Sequence, residues 1–362
     1  MGVIKNMKKA FSLLTIIMIM IFVTACSGAG TEGTSSADGG DSSKEGVISI
    51  GTTPVGVSYN AIGNGLAKVI STNSSLKISV KPTNGISAWG PQLDKGEIQL
   101  GVGSGPDLAW AFNGENGYKA VKNMRLLVRG NYLSVTGAAV PKDSDINSIA
   151  DLKGKRVSAD YPGSAIAKMI LTAALNANDL TWDDVKKVPI PNTAAGIEAL
   201  QDNRVDAAFA LTPTTPIMQE AHNSVGLKSL NFLDDVSPDE IDEVPQDVID
   251  EITSIVPGVQ LTKIPANGYI AEEAVGVKYP AQMVASTHLS EDAVYEIMET
   301  LWENYEDLAP IHAWLKTWTP ESFFDPDPTL PYHPGAVKFY RDKGLWNDEV
   351  EKVHQDLLKQ AE

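Results

Sequence analysis

The side chains able to do chemistry are sparse and scattered in this chain. Its five histidines, His222, His288, His312, His333 and His354, stand singly, without the short spacing of a metal site. Ser104 sits in Gly103-Ser104-Gly105, but Val102 occupies the place where a nucleophile elbow needs its first glycine. The run Asp234, Asp235, Asp239, Glu240, Asp242, Glu243 lacks the glycine and spacing of a calcium loop and reads as a solvated face. No phosphate loop or dinucleotide fingerprint occurs. The residues therefore call for neither an enzyme nor a metal or cofactor.

What they suggest is binding. Four junctions carry glycine, serine or threonine where a strand hands over to a helix: Thr52 to Tyr59, Gly103 to Asp107, Tyr161 to Ser164, and Thr212 to Thr215. Small residues let a ligand approach the backbone, and free N–H groups at a helix start favour an anion. Tyr161-Pro162-Gly163-Ser164 is the strongest such cradle, because it follows a strand and precedes an amphipathic helix. Ser58, Ser104, Ser164 and Thr212 are hydroxyls at helix starts, serving as caps, as ligand contacts or as both. Tyr59 and Trp89 either wall a cleft or fill the core. Arg129, at a strand end before Gly130-Asn131-Tyr132, either grips a carboxylate with two parallel hydrogen bonds or pairs with a surface acid. Asp107 serves a helix N-terminus, or receives an ammonium group if the ligand is an amino acid.

The elements that must hold these residues alternate. Val47–Gly51, Leu76–Val80 and Leu100–Gly103 read as strands; Ile62, Leu66, Val69 and Ile70 mark one face of a helix between the first two. A helix opens near Pro106, and Arg125–Val128 and Val135–Val140 read as two further strands. Ile166, Met169, Ile170 and Ala173 form a helical stripe, Ile197–Gln201 a short helix, and Val205–Leu211 a strand. Ser290 caps a helix with Val294, Ile297, Met298, Leu301 and Tyr305 along one side. Alternation at this pace predicts an α/β architecture with mostly parallel sheets, whose ligands bind beyond the carboxyl ends of the strands.

The N-terminus adds an address. Lys5, Lys8 and Lys9 precede an apolar stretch from Phe11 to Val23, followed by Thr24-Ala25-Cys26. The layout is that of an export signal, too short to span a bilayer. Cys26, the only cysteine, makes it resemble a bacterial lipoprotein signal, in which that thiol is acylated. Residues 27–46 hold no bulky apolar side chain and read as a flexible tether. From Cys26 onward 26 basic residues face 46 acidic ones, a charge of −20, which repels nucleic acid and anionic membrane. The body is thus expected outside the cytoplasm, touching the membrane through its lipid only.

Four stretches carry a wider resemblance: Gly51–Tyr59; Leu93–Gly101 leading to Ser104–Asp107; Ile149–Val157 followed by Tyr161–Ser164; and Pro331-Tyr332-His333-Pro334-Gly335-Ala336-Val337-Lys338-Phe339-Tyr340 with Lys343-Gly344-Leu345. Together they resemble the solute receptors of TRAP transporters, the TAXI family, with the His-Pro-Gly-Ala ending the narrowest signal. The resemblance implies a type II periplasmic-binding-protein fold: two α/β domains around a ligand cleft, with crossover strands as the hinge. It divides the chain into a signal (1–25), a tether (26–46), domain 1 (47–142 with 263–362) and domain 2 (143–262). It also implies a small organic carboxylate, of glutamate or 2-oxoglutarate type, delivered to a TRAP-type membrane permease. The expected ligand contacts are Thr52, Ser58, Tyr59, Trp89, Ser104, Arg129, Tyr161, Gly163, Ser164 and Thr212. The alternative is a binding lipoprotein of an ABC importer, for a sulfonate or a thiamine precursor. The first loop (one tyrosine instead of a pair), Asn84–Trp89 and Ile264–Tyr269 all depart from the usual receptor pattern.

Overall fold

The structure, a computed structural model, describes residues 46–361. The export signal, Cys26 and all but the end of the tether lie outside the described residues. The chain begins with β1 (Ile48–Thr52), α1 (Ser58–Asn73), β2 (Ile78–Pro82), α2 (Ile86–Asp94), β3 (Leu100–Ser104), α3 (Gly105–Asn113) and β4 (Met124–Val135). β1 pairs in parallel with both β2 and β3. The α1 stripe of Ile62, Leu66, Val69 and Ile70 is buried, as its spacing predicts.

The chain then enters a second body of structure. β5 (Ala138–Pro141), β6 (Arg156–Asp160), α4 (Ala165–Asn176), β7 (Lys186–Ile190), α5 (Thr193–Gln201), β8 (Ala208–Phe209), α6 (Pro216–Val225), β9 (Leu227–Leu230) and α7 (Gln246–Ile255) follow in order. β8, β5 and β9 form one sheet and β6–β7 another, joined by a parallel bridge from Val157 to Ala207.

The chain then returns to the first half. β10 (Gln260–Ile264) and β11 (Ala274–Ser286) return to the first sheet, where β11 runs antiparallel to β3, β4 and β10. The first sheet therefore reads β2-β1-β3-β11-β4, with β10 beside the opening of β11. That order, with long antiparallel crossover strands leading to a separate sheet, is the type II periplasmic-binding-protein fold. Sheet membership changes between Val135 and Ala138. The expected two strands around 125–140 are in fact one strand to Val135 and a separate β5. Gly130-Asn131-Tyr132 looks like a turn, but β11 pairs with β4 on both sides of it, through a register shift between Pro280 and Gln282.

α8 (Glu291–Glu303), α9 (Pro320–Phe323), α10 (Pro334–Asp342) and α11 (Asp348–Lys359) complete the first half. His333 caps α10, accepting the N–H of Gly335 at Nδ1 (3.2 Å) while its Nε2 meets the Leu289 carbonyl (3.2 Å). Tyr340 donates toward the carbonyls of Leu127 and Phe323, fixing α10 to β4. The His-Pro-Gly-Ala motif is thus core architecture of the first half. No helix among the described residues is long and apolar enough to cross a membrane.

Candidate functional site

The two halves meet along a seam built from the predicted junctions. Asp107, on the first turn of α3, projects its carboxylate onto the first turn of α4. Oδ1 accepts from the Ile166 N–H (2.9 Å) and the Tyr118 hydroxyl (2.8 Å). Oδ2 accepts from the hydroxyls of Ser104 (2.9 Å) and Ser164 (3.3 Å). The Tyr118 oxygen in turn accepts the Ala165 N–H (2.8 Å). Burial pushes the Asp107 carboxyl up to about 6, partly offset by its hydrogen bond from Ile166 and the hydroxyl donors.

Two further contacts close the seam. The Ile86 N–H donates to the Gly163 carbonyl (3.1 Å), and Asn192 Nδ2 donates to Asn84 Oδ1 (3.2 Å). A Cβ on Gly163 would stand 1.8 Å from the Asn84 carbonyl oxygen, so only glycine permits this approach. On the other flank the Ile217 N–H donates to the Gly56 carbonyl (3.3 Å), and Ser58 Oγ lies 3.4 Å from Thr215 Oγ1. Thr215 Oγ1 is also 2.9 Å from Thr212 Oγ1, giving a chain of hydroxyls across the seam.

Between these contacts lies a cavity of about 20 Å³, bordered by Thr53, Ser58, Tyr59, Ser164, Thr193 and Thr212, with apolar walls. That volume holds about one water. Among the described residues, Thr53 Oγ1 and the Tyr59 hydroxyl, both buried, find no hydrogen-bond partner. Burial, with the nearby Tyr279 and Asp107, drives the Tyr59 hydroxyl well above its usual pKa and keeps it protonated. The site therefore closes on itself with two unsatisfied hydroxyl groups facing inward.

The ten sequence-derived contacts divide. Ser58, Tyr59, Ser164 and Thr212 border the cavity, Ser104 braces Asp107, and Gly163 forms the seam itself. Thr52 stands just behind, accepting from Asn60 Nδ2 (3.1 Å). Three lie elsewhere. Trp89 is fully buried in the first half, its ring pressed where Cβ atoms on Gly51 and Gly101 would fall 2.7 Å and 2.4 Å from it; the two glycines make the slot that takes the indole out of the cleft. Tyr161 is fully buried in the second half, its hydroxyl bound to Ser158 and to the Phe209 N–H (3.2 Å), with burial pushing its pKa to about 12. Arg129 faces a different cavity and pairs with Asp325 at 3.2 Å.

The anion cradle needs the largest correction. The α4 N-terminus does hold a carboxylate, but the protein supplies it from Asp107. Thr53 and Thr215 fall within the named junctions without being singled out there, while Thr193, Tyr118 and Tyr279 carry no local signal in the sequence. The doubled threonines of Thr52-Thr53 and Thr212-Pro213-Thr214-Thr215 were the available signal.

The model of a family described as NMT1-like matches residues 50–344. Among solved structures, the chain is similar to the periplasmic aliphatic sulphonate binding protein SsuA from Escherichia coli (16% identity, 86% of this chain and 85% of that one, TM-score 0.42). It is similar to an ancestral arginine-binding protein bound to arginine (16%, 76% and 99%, TM-score 0.47). A third is the amino acid ABC transporter substrate-binding protein AbpA from Streptococcus pneumoniae bound to L-arginine (13%, 87% and 96%, TM-score 0.41).

Proposed function

This chain belongs to the NMT1-like family, and on that footing we propose that it is an extracytoplasmic solute receptor that closes on a small polar molecule and hands it to a membrane permease. One observation carries the reading: the hydroxyl-lined cavity at the seam of the two halves, where Tyr59 and Thr53 have no protein partner among the described residues. At about 20 Å³ it admits no solute as it stands. Binding therefore requires the halves to part about β4 and β11 and close again, and a ligand favours closure only through contacts it gains from both halves together.

The solute meets chiefly hydroxyls. A carboxylate ligand, the class the receptor resemblance implies, could use the α4 N-terminus only by displacing Asp107. A solute that keeps Asp107 in place presents hydrogen-bond donors and acceptors to Thr53, Tyr59, Ser58 and Thr212 instead.

Two permease classes follow from the sequence. Delivery to a TRAP-type permease rests on the motif resemblance alone. The matched family is described as NMT1-like, with no TRAP designation, and backs an importer of ABC type better. Lipid attachment at Cys26 would keep the receptor beside either one. The test is thermal unfolding of the protein, refolded to strip bound cargo, against glutamate, glutamine, 2-oxoglutarate, succinate, a sulfonate and neutral polar analogues of each. A ligand at a thousand times its dissociation constant adds about 4 kcal/mol, several degrees or more in melting temperature. No response to any class overturns the receptor reading.

A further inference from the structure

A second cavity, of about 300 Å³, lies beside the hinge strands and shares no lining residue with the seam cavity. It is large enough for a small organic ligand without rearrangement. Its walls come from both crossover strands: Arg129 and Tyr132 from β4, Pro280 and Gln282 from β11. Trp110 from α3, Gly258 from the turn between α7 and β10, and Asp325 and Asp327 from the loop after α9 also line it.

The polar groups of this cavity are of both signs and only partly engaged. Arg129 uses Nη1 for Asp325 (3.2 Å), while its buried Nε has no partner among the described residues. Gln282 is 1% exposed, reaches Asp325 Oδ2 with Nε2 at 3.5 Å, and leaves Oε1 without a partner among the described residues. Asp327 makes no ion pair among the described residues. The Arg129 guanidinium lies 6.0 Å from the Tyr132 ring centre, within cation–π range. The partly exposed Arg129 guanidinium, which spends only Nη1 on its ion pair, and the unpaired Asp327 carboxylate sit around one space with aromatic walls.

We propose that this hinge cavity is a binding site for a small zwitterion of α-amino-acid size, distinct from the seam cleft. The ligand carboxylate takes the free donors of Arg129. Its ammonium faces Asp327, and a short side chain packs toward Trp110 and Tyr132. A molecule carrying one charge satisfies only half of this set.

The experiment is titration of the full chain with L-alanine, propionate and ethylamine, followed by calorimetry and by ¹⁵N NMR, with the Trp110 indole resonance assigned through Trp110→Phe. L-alanine is expected to bind and to shift the Trp110 indole and the Gly258 amide while leaving Ser164 and Thr212 unmoved. Propionate and ethylamine are each expected to bind at least about tenfold more weakly, having lost one charge-assisted set. The paired variant Arg129→Gln with Asp325→Asn keeps the shape and leaves no lone buried charge, so it tests recognition without unfolding the hinge; its melting temperature verifies this. It should lower L-alanine affinity at least about tenfold. Equal binding of all three probes, shifts confined to Ser164 and Thr212, no binding up to the solubility of L-alanine, or undiminished binding by the folded paired variant each overturn the proposal. Shifts at the seam alone would leave the receptor reading standing while removing this one.

Discussion

Asp107 on α3 and Ile166 on α4 join the two halves of the molecule through one hydrogen bond, 2.9 Å from the Ile166 N–H to the Asp107 carboxylate. The bond matters because an anion is what a helix N-terminus attracts, and here the anion belongs to the protein. Asp107 thereby links closure to proton uptake. In the closed form burial holds its carboxyl at about 6; exposed in an open form it titrates near the ordinary value of about 3.9. The closed form binds the proton more tightly. Its advantage is fully present below about pH 3.9 and is lost as pH rises through 6, a swing of about 3 kcal/mol. The closed population, followed by the distance between spin labels at exposed Lys95 and Lys187, should rise as pH falls from 7 to 4.

Substitution separates the charge from the contact. Asp107→Asn keeps an acceptor for the Ile166 N–H and removes the titration, so closure should persist and lose its pH dependence in this range. Asp107→Ala strands the Ile166 N–H and the Tyr118 and Ser164 hydroxyls, at about 1–3 kcal/mol for each buried group left unpaired. The label distance should lengthen in Asp107→Ala alone. If both variants lengthen it equally, the charge is what holds the seam.

Gly163→Ala tests the seam from the other side. Its Cβ would meet the Asn84 carbonyl oxygen at 1.8 Å, a backbone atom that cannot swing away, and the clash exists only when the halves touch. Gly163 does not use a left-handed φ, and within its own half the Cβ meets only the Pro191 carbonyl oxygen, at 3.2 Å, a contact that a shift of a few tenths of an ångström relieves. The variant should melt within about 1 kcal/mol of the parent yet bind solute roughly a hundredfold more weakly, its closed state being excluded. Undiminished affinity would show that the solute binds without this contact.

The fold was legible because periodicity and junction residues are local signals. The α1 stripe and the Ser104 and Ser290 caps can be read in a window of a dozen residues, and each occurs where expected. Ser104, Ser164 and Thr212 were legible for the same reason, since helix starts gather around the cleft of this fold. What failed was direction. Nothing near Trp89 in sequence reveals that Gly51 and Gly101, on two other strands, carve a slot for its ring. Nothing beside Arg129 announces Asp325, 196 residues onward. Asp107 was read as serving its own helix, and its Ser104 contact bears that out; that it also occupies α4, 59 residues away, is a tertiary fact. Junctions predict that groups converge, while the fold alone decides which group fills the cradle.

Trp89→Ala should accordingly behave as a core deletion, costing about 3–5 kcal/mol of stability. At a temperature where the variant remains folded, its solute affinity should match the parent. A loss of affinity greater than the loss of folded fraction would return Trp89 to the cleft.

Tyr59→Phe gives the opposite pattern. Its hydroxyl has no partner among the described residues in the closed site, so removing it should leave stability unchanged or slightly raised. If that hydroxyl bonds the solute, affinity drops about tenfold, the worth of about one hydrogen bond. Thermal unfolding with and without ligand reads both quantities in one series, and an unchanged ligand-induced shift would place the solute elsewhere.

His333 gives a pH signature of the fold, separable from that of the cleft. Its ring accepts from the Gly335 N–H at Nδ1, so the neutral form is the one that fits, and a proton there would set two donors against each other. Burial lowers its pKa to about 4, against about 6.5 in an unfolded chain. Because the unfolded chain takes up this proton first, stability is complete above about 6.5 and declines as pH falls toward 4, by about 3 kcal/mol in all. Asp107 acts with the opposite sign in an overlapping window, and the neighbouring His354, also lowered by burial, with the same sign as His333. The informative quantity is therefore the difference between the parent and His333→Asn, in which both of those contributions cancel. Asparagine retains a capping oxygen for α10 and does not titrate. The parent should lose stability relative to His333→Asn as pH drops from 6.5 to 4. Parallel pH profiles would mean that the α10 cap tolerates the imidazolium.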